Sequence, residues 1–360
     1  MNQQTIDSIE NYTTYHRDHF IQDNFSVVNK DMQVVPLIPT MAQEYYWRTR
    51  TKRDIYLKAR QVRISTIAHA DVISESMVHP GLNSLIIAQK PEDETLGPHR
   101  ARARLFYEQT QPQWKPELVT DNAHLMQFGW RDDQNNLAAT SRLYFGTSGS
   151  ASIGRGETLH RMIIEEFGEW SDEEANNIFQ MAMGLPHDSR IIVIGTPKSN
   201  SGPFRALCEG ALNGTNGFTL HVLPWFWEVD YQIPTPFFEY TDEEAALATL
   251  HGLTINQIAW RRQQIILAGA SNPNSPMSVF LQEYLENPYT CWAYAGVPLF
   301  DNEYLLGMDA TCTPPIYMTR GGCVRHWELP KPGVSYVIGA DPAEGLTTSH
   351  LSAAVVREVT

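Results

Sequence analysis

Short apolar runs bounded by turn residues recur through the first two thirds of the chain: DIYLKA at 54–59, SLIIAQ at 84–89, RLYFGT at 142–147, HRMIIEE at 160–166 and RIIVIGTP at 190–197. Runs of this length without clean alternation suit strands buried on both faces, as in a parallel sheet. Helical patterns with start signals lie between and after them. Ser171 followed by Glu174, and Thr241 followed by Glu244, read as capping boxes, and Gly252 is placed to end the second helix. The alternation predicts an α/β fold with crossover helices.

Beyond Pro224 the pattern changes. PWFWEVDYQIPTPFFEY at 224–240 is aromatic and proline-rich, and TINQIAWRRQQIILAGA at 254–270 reads as a helix. In LPKPGVSY at 329–336 two prolines and a glycine precede a new strand, YVIGADPAEG. These shifts predict three parts: 1–224, a mainly helical 225–330, and the beginning of another domain at 331–360. A domain that opens with two strands cannot close a core in about thirty residues, so more chain is expected beyond Thr360.

With 42% hydrophobic and 19% charged residues the composition is that of a soluble globular protein, and no apolar run is long enough to span a membrane. The first twenty residues are polar and lack the apolar stretch of a secretory signal, which predicts a cytoplasmic location. Cys208, Cys291, Cys312 and Cys323 are widely spaced, which argues against a zinc ribbon and favours isolated buried thiols. A net charge of −14 argues against a nucleic-acid partner. Two basic clusters argue the other way: Arg48, Arg50, Lys52, Arg53, Lys58, Arg60 and Arg63, then Arg100, Arg102 and Arg104.

LKARQVRIST at 57–66 has the strand-turn-helix setting of a phosphate loop, with Ser65 and Thr66 where the helix should begin. The G-x-x-x-x-G-K-S/T pattern is not met, because Arg63 and Ile64 stand where Gly-Lys would be. An ordinary basic turn accounts for the loop taken alone. Downstream, Glu165 and Glu166 follow an apolar strand directly, as when one acid serves Mg²⁺ and the next positions water; two solvated acids at a strand end would look the same. Thr196 ends the next strand as a hydroxyl able to sense a γ-phosphate, although an ordinary Thr-Pro turn accounts for that segment taken alone. Arg155, between Gly154 and Gly156, is either a finger toward a neighbouring subunit or a side chain that bonds its own loop.

In this order the segments resemble the large terminase subunit of tailed bacteriophages, the motor that packs viral DNA into a procapsid and cuts it. The resemblance is carried by IPTMAQEYYW, LKARQVRIST, SLIIAQKPEDETLG, GTSGSASIGRGETLHRMIIEEFGEW, VIGTPKSNSGPF, LPWFWEVDY, LTINQIAWRRQQI, FLQEYLENPYTCWAYAGVPLFD and VIGADPAEG, over most of residues 36–350. It implies an ASCE-type P-loop ATPase sheet flanked by helices over 1–224, a linker or lid over 225–330, and the first strands of an RNase H-like nuclease over 331–360. Lys58 matches a lysine relocated to the start of the loop, Arg60 a loop arginine that senses nucleotide in cis, and Gln61 belongs to the same ATP-binding loop. Ser65 and Thr66 match the loop-end hydroxyls, with Ser65 and Glu165 on Mg²⁺ and Glu166 as the catalytic glutamate. Gln43 resembles the adenine-reading glutamine, Arg155 the trans-acting finger, and Thr196 the coupling motif.

Asp341 matches the first metal-binding aspartate of the nuclease, whose Mg²⁺ or Mn²⁺ site needs further ligands expected beyond Thr360; His350 stands where many relatives have aspartate. Arg63 departs from the family's glycine and is expected to crowd the phosphate-binding backbone. The resemblance implies double-stranded DNA, a portal protein and a small terminase subunit as partners. It also implies a homo-oligomeric ring, five subunits by family analogy, in the bacterial host cytoplasm at the procapsid portal and absent from the mature virion. The alternatives are another nucleic-acid-dependent ATPase of the superfamily 2 helicase kind, or a non-hydrolysing DNA-binding relic of a P-loop domain.

Overall fold

In the computed structural model, residues 11–89, 96–148, 157–236, 238–273, 275–289, 291–292, 308, 311–320, 323–341 and 353–359 are described. They fall into two compact units, 1–297 and 298–360.

The first unit opens with helix α1 (Arg17–Asn24), a small hairpin of β1 (Ser26–Val28) and β2 (Val34–Pro36), and helix α2 (Met41–Thr49). The main sheet then begins with β3 (Arg53–Lys58), helix α3 (Ile64–Val78), β4 (Asn83–Ala88) and helix α4 (Gly97–Gln109). It continues through β5 (Glu117–Asp121), β6 (Leu125–Arg131), β7 (Leu137–Thr147), β8 (Arg161–Ile164), helix α5 (Asp172–Met183), β9 (Arg190–Gly195), helix α6 (Pro203–Leu212) and β10 (Thr219–Leu223). Eight strands form one sheet in the order β10-β3-β9-β8-β4-β7-β6-β5. The five apolar runs of the sequence are β3, β4, β7, β8 and β9, and they pair in parallel: Ile55 opposite Val193, Met162 opposite Ile191, Leu85 opposite both Tyr144 and Met162. Only β6 runs against the other strands; it joins β7 to β5, which extends the edge in the direction of the parallel strands.

These strands are buried on both faces, with Ile55, Tyr56, Leu57, Ile86, Ile163 and Val193 all without solvent exposure. Helix α3 is buried nearly all round, polar residues included, which is the pattern of a helix inside the core instead of on its surface. It leaves the carboxyl end of β3 and runs back toward the strands' amino ends. The strand order places β9 between β3, which leads into the loop at 59–63, and β8, which leads into Glu165 and Glu166. Both candidate motifs therefore emerge at the same, carboxyl edge of the sheet, where open parallel sheets bind ligands.

The capping boxes are present. Ser171 and Glu174 start α5, and Thr241 and Glu244 start helix α7 (Asp242–His251), which Gly252 ends in the left-handed conformation that a glycine adopts at no steric cost. Helices α8 (Ile255–Ser271) and α9 (Pro276–Glu283) follow. The expected segment 225–330 is thus divided between the two units, α7 to α9 lying in the first. An aromatic cluster holds them there: Trp225 stacks on Trp260 at 5.0 Å between ring centres, and Tyr231 on Trp260 at 4.3 Å. In the second unit β11 (Tyr317–Thr319) pairs with β12 (Val324–His326), and β13 (Tyr336–Asp341) pairs antiparallel with β14 (Ala353–Glu358). Cys208 and Cys291 are buried as expected, whereas Cys312 and Cys323 are exposed. The two exposed thiols belong to the second unit, whose short hairpins bury little.

Candidate active site

A cavity of about 1010 Å³ opens at the carboxyl edge of β3, β8 and β9 and is lined by Gln43, Lys58, Arg60, Gln61, Arg63, Ser65, Thr66, Glu166 and Thr196, among others. Its size is at the upper end for small-molecule sites. Every sequence candidate of the first 200 residues is at this cavity except Arg155, which lies outside the described residues, and Glu165, which is buried next to Ser65. The amino end of α3 also opens here, so the partial positive charge of its first turn faces the cavity.

Three of the non-glycine residues with a left-handed backbone gather at this cavity. Gln61, Arg63 and Glu166 all have positive φ, at 56°, 61° and 50°. For residues with a side chain this costs of order 1 kcal/mol or more each, and such strain gathers where a loop must hold a shape for a ligand. The loop is tied from outside as well. Ala59 N–H donates to Leu223 O at 2.9 Å, Arg60 N–H donates to Glu283 O at 2.8 Å, and the Tyr231 hydroxyl donates to Arg60 O at 2.8 Å. The helices after residue 224 therefore help to shape the loop.

The Lys58 ammonium, nearly buried, donates to Glu166 Oε1 at 3.3 Å. From the end of β3 Lys58 thus reaches the acid after β8, over the intervening β9. The Ser65 hydroxyl donates to Glu165 Oε2 at 2.9 Å. A hydroxyl and a carboxylate side by side form a hard-oxygen donor set of the kind Mg²⁺ takes, and Ser65 is the member that reaches the cavity. Glu165 is fixed from other directions by the His69 ring, with Nε2 2.8 Å from Oε1, and by the Trp170 indole N–H, which donates to its main-chain carbonyl at 3.0 Å. Burial, and next the neighbouring Arg102 guanidinium, hold His69 well below the usual histidine range. Burial, with His69 beside it, pushes His99 down to about 3. Both imidazoles are neutral at physiological pH.

Thr196 Oγ1 is buried and has no hydrogen-bond partner among the described residues, while its backbone crowds Gly168: a Cβ there would meet Thr196 O at 2.0 Å. The turn after Glu166 and the end of β9 are therefore packed so closely that only glycine fits.

One expectation needs correction, and two gain detail from the packing. The Arg63 side chain does not crowd the loop, because it turns away to pair with Asp230 and with Glu228 at 3.3 Å. What a glycine would have supplied here is the left-handed backbone, which Arg63 adopts anyway. Arg60 lines the cavity, yet its guanidinium lies 3.5 Å from Glu283 of α9, a carboxylate that Lys198 also contacts. Much of the basic clusters is engaged within the protein: Arg50 pairs with Asp71, Arg53 with the Ser189 carbonyl, Arg100 and Arg104 with Asp121, and Arg102, at the cavity wall, with His69, whereas Arg48 and Lys52 are exposed.

Gln43 is buried in the wall. Its amide oxygen accepts from Thr40 N–H and its amide nitrogen donates to Arg63 O, both at 3.0 Å, so it joins the cap of α2 to the loop. Thr66 begins the first turn of α3, its N–H donating to Arg63 O at 3.2 Å. Asp341 is the last residue of β13, opposite Ala353.

His69, Arg102 and Glu283 were not among the candidates. Ser65 and His69 stand four apart on one helix, and that spacing placed them on one face; no local signal pointed to Arg102 or Glu283, which arrive from distant segments.

No family model matches the sequence, and no curated protein matches it. Solved structures do. The large terminase of bacteriophage HK97 is 12% identical with a TM-score of 0.50, over 74% of this chain and 53% of that one. The large terminase ATPase domain of Thermus phage P74-26 is 18% identical with a TM-score of 0.45, over 69% of this chain and 92% of that one. The likeness is one of fold: this chain has the α/β architecture of a terminase P-loop ATPase, with a mostly parallel sheet flanked by helices.

Proposed function

We propose that this chain is the ATP-hydrolysing motor of a phage large terminase, coupling turnover to the movement of double-stranded DNA into a procapsid. The observation that carries the proposal is the convergence of Lys58, Ser65, Glu166 and Thr196 on one cavity at the amino end of α3, with Glu165 buried directly behind Ser65. A triphosphate needs a cation, backbone N–H groups, a hydroxyl with an acid for the metal, and a carboxylate to orient water. Each has one counterpart here.

Lys58 supplies the cation. Its contact with Glu166 is the partner that phosphate oxygens would replace, and release of Glu166 leaves that carboxylate to accept a proton from water. Mg²⁺, held by Ser65 with Glu165, would neutralise phosphate charge. The loop from Gln61 to Arg63 is already bent before any ligand arrives, which lowers the entropy cost of binding. Thr196, adjoining both cavity and Gly168, is placed to register occupancy in the turn after Glu166. Arg155, Gln43 and Arg60 are proposed as trans finger, base contact and loop arginine by resemblance. The contacts of Arg60 and Lys198 with Glu283 would transmit a change in the loop to α9. Double-stranded DNA, a portal protein, a small terminase subunit and a pentameric ring in the bacterial host cytoplasm are proposed on the same ground, as is a nuclease site using Asp341 and Mg²⁺ or Mn²⁺.

The helicase alternative requires a second P-loop-like domain, and residues 242–283 are helices instead. Among the described residues no helix is long and apolar enough to cross a membrane. The test is phosphate release from Mg²⁺-ATP with and without duplex DNA, together with the melting temperature in ATP. DNA-stimulated release with a raised melting temperature is expected. The absence of both phosphate release and a melting-temperature shift would end the motor reading.

A further inference from the structure

We infer that His69 is a positioning residue for Glu165, held by Arg102 in the one tautomer able to do that task. The inference rests on the hydrolase reading for its consequence but on geometry for its substance.

Ser65 and His69 lie one turn apart on α3 and grip the same carboxylate, Ser65 at Oε2 from 2.9 Å and His69 at Oε1 from 2.8 Å. Neither His69 nor Glu165 is exposed to solvent. On its far side, His69 Nδ1 is 3.3 Å from an Arg102 guanidinium nitrogen. A guanidinium only donates, so Nδ1 must hold a lone pair and the ring's proton must sit on Nε2. That N–H then donates to Glu165. The chain of donation runs one way, from Arg102 through His69 to Glu165, and no other protonation pattern satisfies all three groups.

The same geometry excludes a more obvious reading. His69, His99 and Glu165 bring three potential metal-ligand atoms within 4.8 Å of one another. A metal would need the Nε2 lone pair of His69, which the proton occupies, and it would sit close to the Arg102 charge. The trio is a strut, not a metal centre.

The strut's effect is on the acid's orientation. When the Ser65 hydroxyl turns from Glu165 toward a cation, the carboxylate loses one of its two side-chain donors and retains the other. His69 therefore keeps Glu165 aimed at the moment it is needed. Hydrogen-bonded partners of metal-site ligands typically change metal affinity by about 10–100-fold when removed.

Nitrogen-15 NMR of the imidazoles in the full chain tests the tautomer without any ligand. Protonated Nε2 with accepting Nδ1 is expected at His69, and Arg102→Ala should let the tautomers mix; an Nδ1-protonated His69 in the wild type overturns the inference. A second arm titrates Mn²⁺ against the ADP-loaded protein by EPR and Mg²⁺ in the turnover assay. His69→Ala should raise both half-saturating concentrations by about 10–100-fold with metal-free nucleotide binding unchanged. His69→Gln, which keeps an N–H donor, should recover most of the loss and serves if the alanine variant does not fold. Metal requirements unchanged in either folded variant overturn the role. Wild-type protein that neither binds nor hydrolyses ATP would sink the hydrolase reading, and the tautomer measurement would still decide the strut.

Discussion

The two ends of the parallel sheet carry similar charged residues and treat them in opposite ways. At the amino ends of β8 and β9, Asp71 of α3 is fully buried and contacts Arg17 at 2.8 Å, Arg190 at 2.8 Å, Arg50, and the Tyr46 hydroxyl at 2.7 Å. One turn on, Glu75 accepts two bonds from Arg161, at 2.8 and 2.6 Å. At the carboxyl ends, Lys58 and Glu166 meet at only 3.3 Å, Thr196 Oγ1 has no partner among the described residues, and three residues hold left-handed backbones. A closed polar network fixes structure, because removing any member strands a buried charge. An open one keeps interactions in reserve for a ligand. Helix α3 joins the two, so the saturated end anchors the helix whose other end shapes the cavity.

The largest test of this contrast is Asp71→Asn, which leaves three guanidinium groups around a neutral side chain. Chemical denaturation should show a loss of about 3–5 kcal/mol, the usual cost of breaking a buried ion pair, with ATP response retained in the folded fraction. A loss below about 1 kcal/mol would erase the distinction between the ends, since that is what an exposed pair contributes. Acid sharpens the point. Burial alone would raise the Asp71 carboxyl, but Arg190, Arg17 and Arg50 outweigh burial and hold it well below the usual carboxylate range. Its folded value is therefore below the unfolded value of about 3.9. The stability it contributes is complete above that pH and is lost as pH falls toward the folded value. Asp71→Asn should flatten that part of the stability–pH curve.

At the open end, Glu166→Gln should lower phosphate release by about 10²–10⁴-fold, the range for removing a general base. The melting temperature without nucleotide should hardly move, because its one ion pair is half-exposed. Retained turnover would remove Glu166 from its role. Gly168→Ala comes next: its Cβ would meet the Thr196 carbonyl, and such overpacking typically costs about 1–3 kcal/mol. Turnover should fall with it, as the turn after Glu166 is displaced; a wild-type crystal position for Thr196 in this variant would contradict the close packing. The smallest effect belongs to Arg63→Gly. Relief of left-handed strain, about 1–2 kcal/mol, is set against glycine's greater freedom in the unfolded chain, about 0.5–1 kcal/mol, the half-exposed pair with Asp230, about 0–1 kcal/mol, and the loss of a partner for the buried Glu228. Stability should stay within about 1 kcal/mol and turnover within a few-fold, by denaturation and phosphate release. A collapse of activity would place Arg63 in the nucleotide site after all.

The sequence by itself determined the strands, the caps and the edge at which the chemistry gathers. Apolar runs of β3, β4, β8 and β9 demand burial on both faces, Ser171-Glu174 and Thr241-Glu244 start their helices through contacts three residues apart, and right-handed crossovers bring the strand ends to one side. These are local or chain-wide regularities, so Lys58, Ser65, Glu165 and Glu166 were legible together. Tertiary structure decided which charge meets which. Arg63 turns to Asp230 instead of crowding the loop, Arg60 at the cavity meets Glu283 of α9, Asp71 collects arginines from three other segments, and Arg102 comes from α4 to His69. Those partners lie tens to hundreds of residues apart. An ion pair or a buried tautomer has no period along a chain, and only the packing of the sheet and its helices brings the two halves within reach.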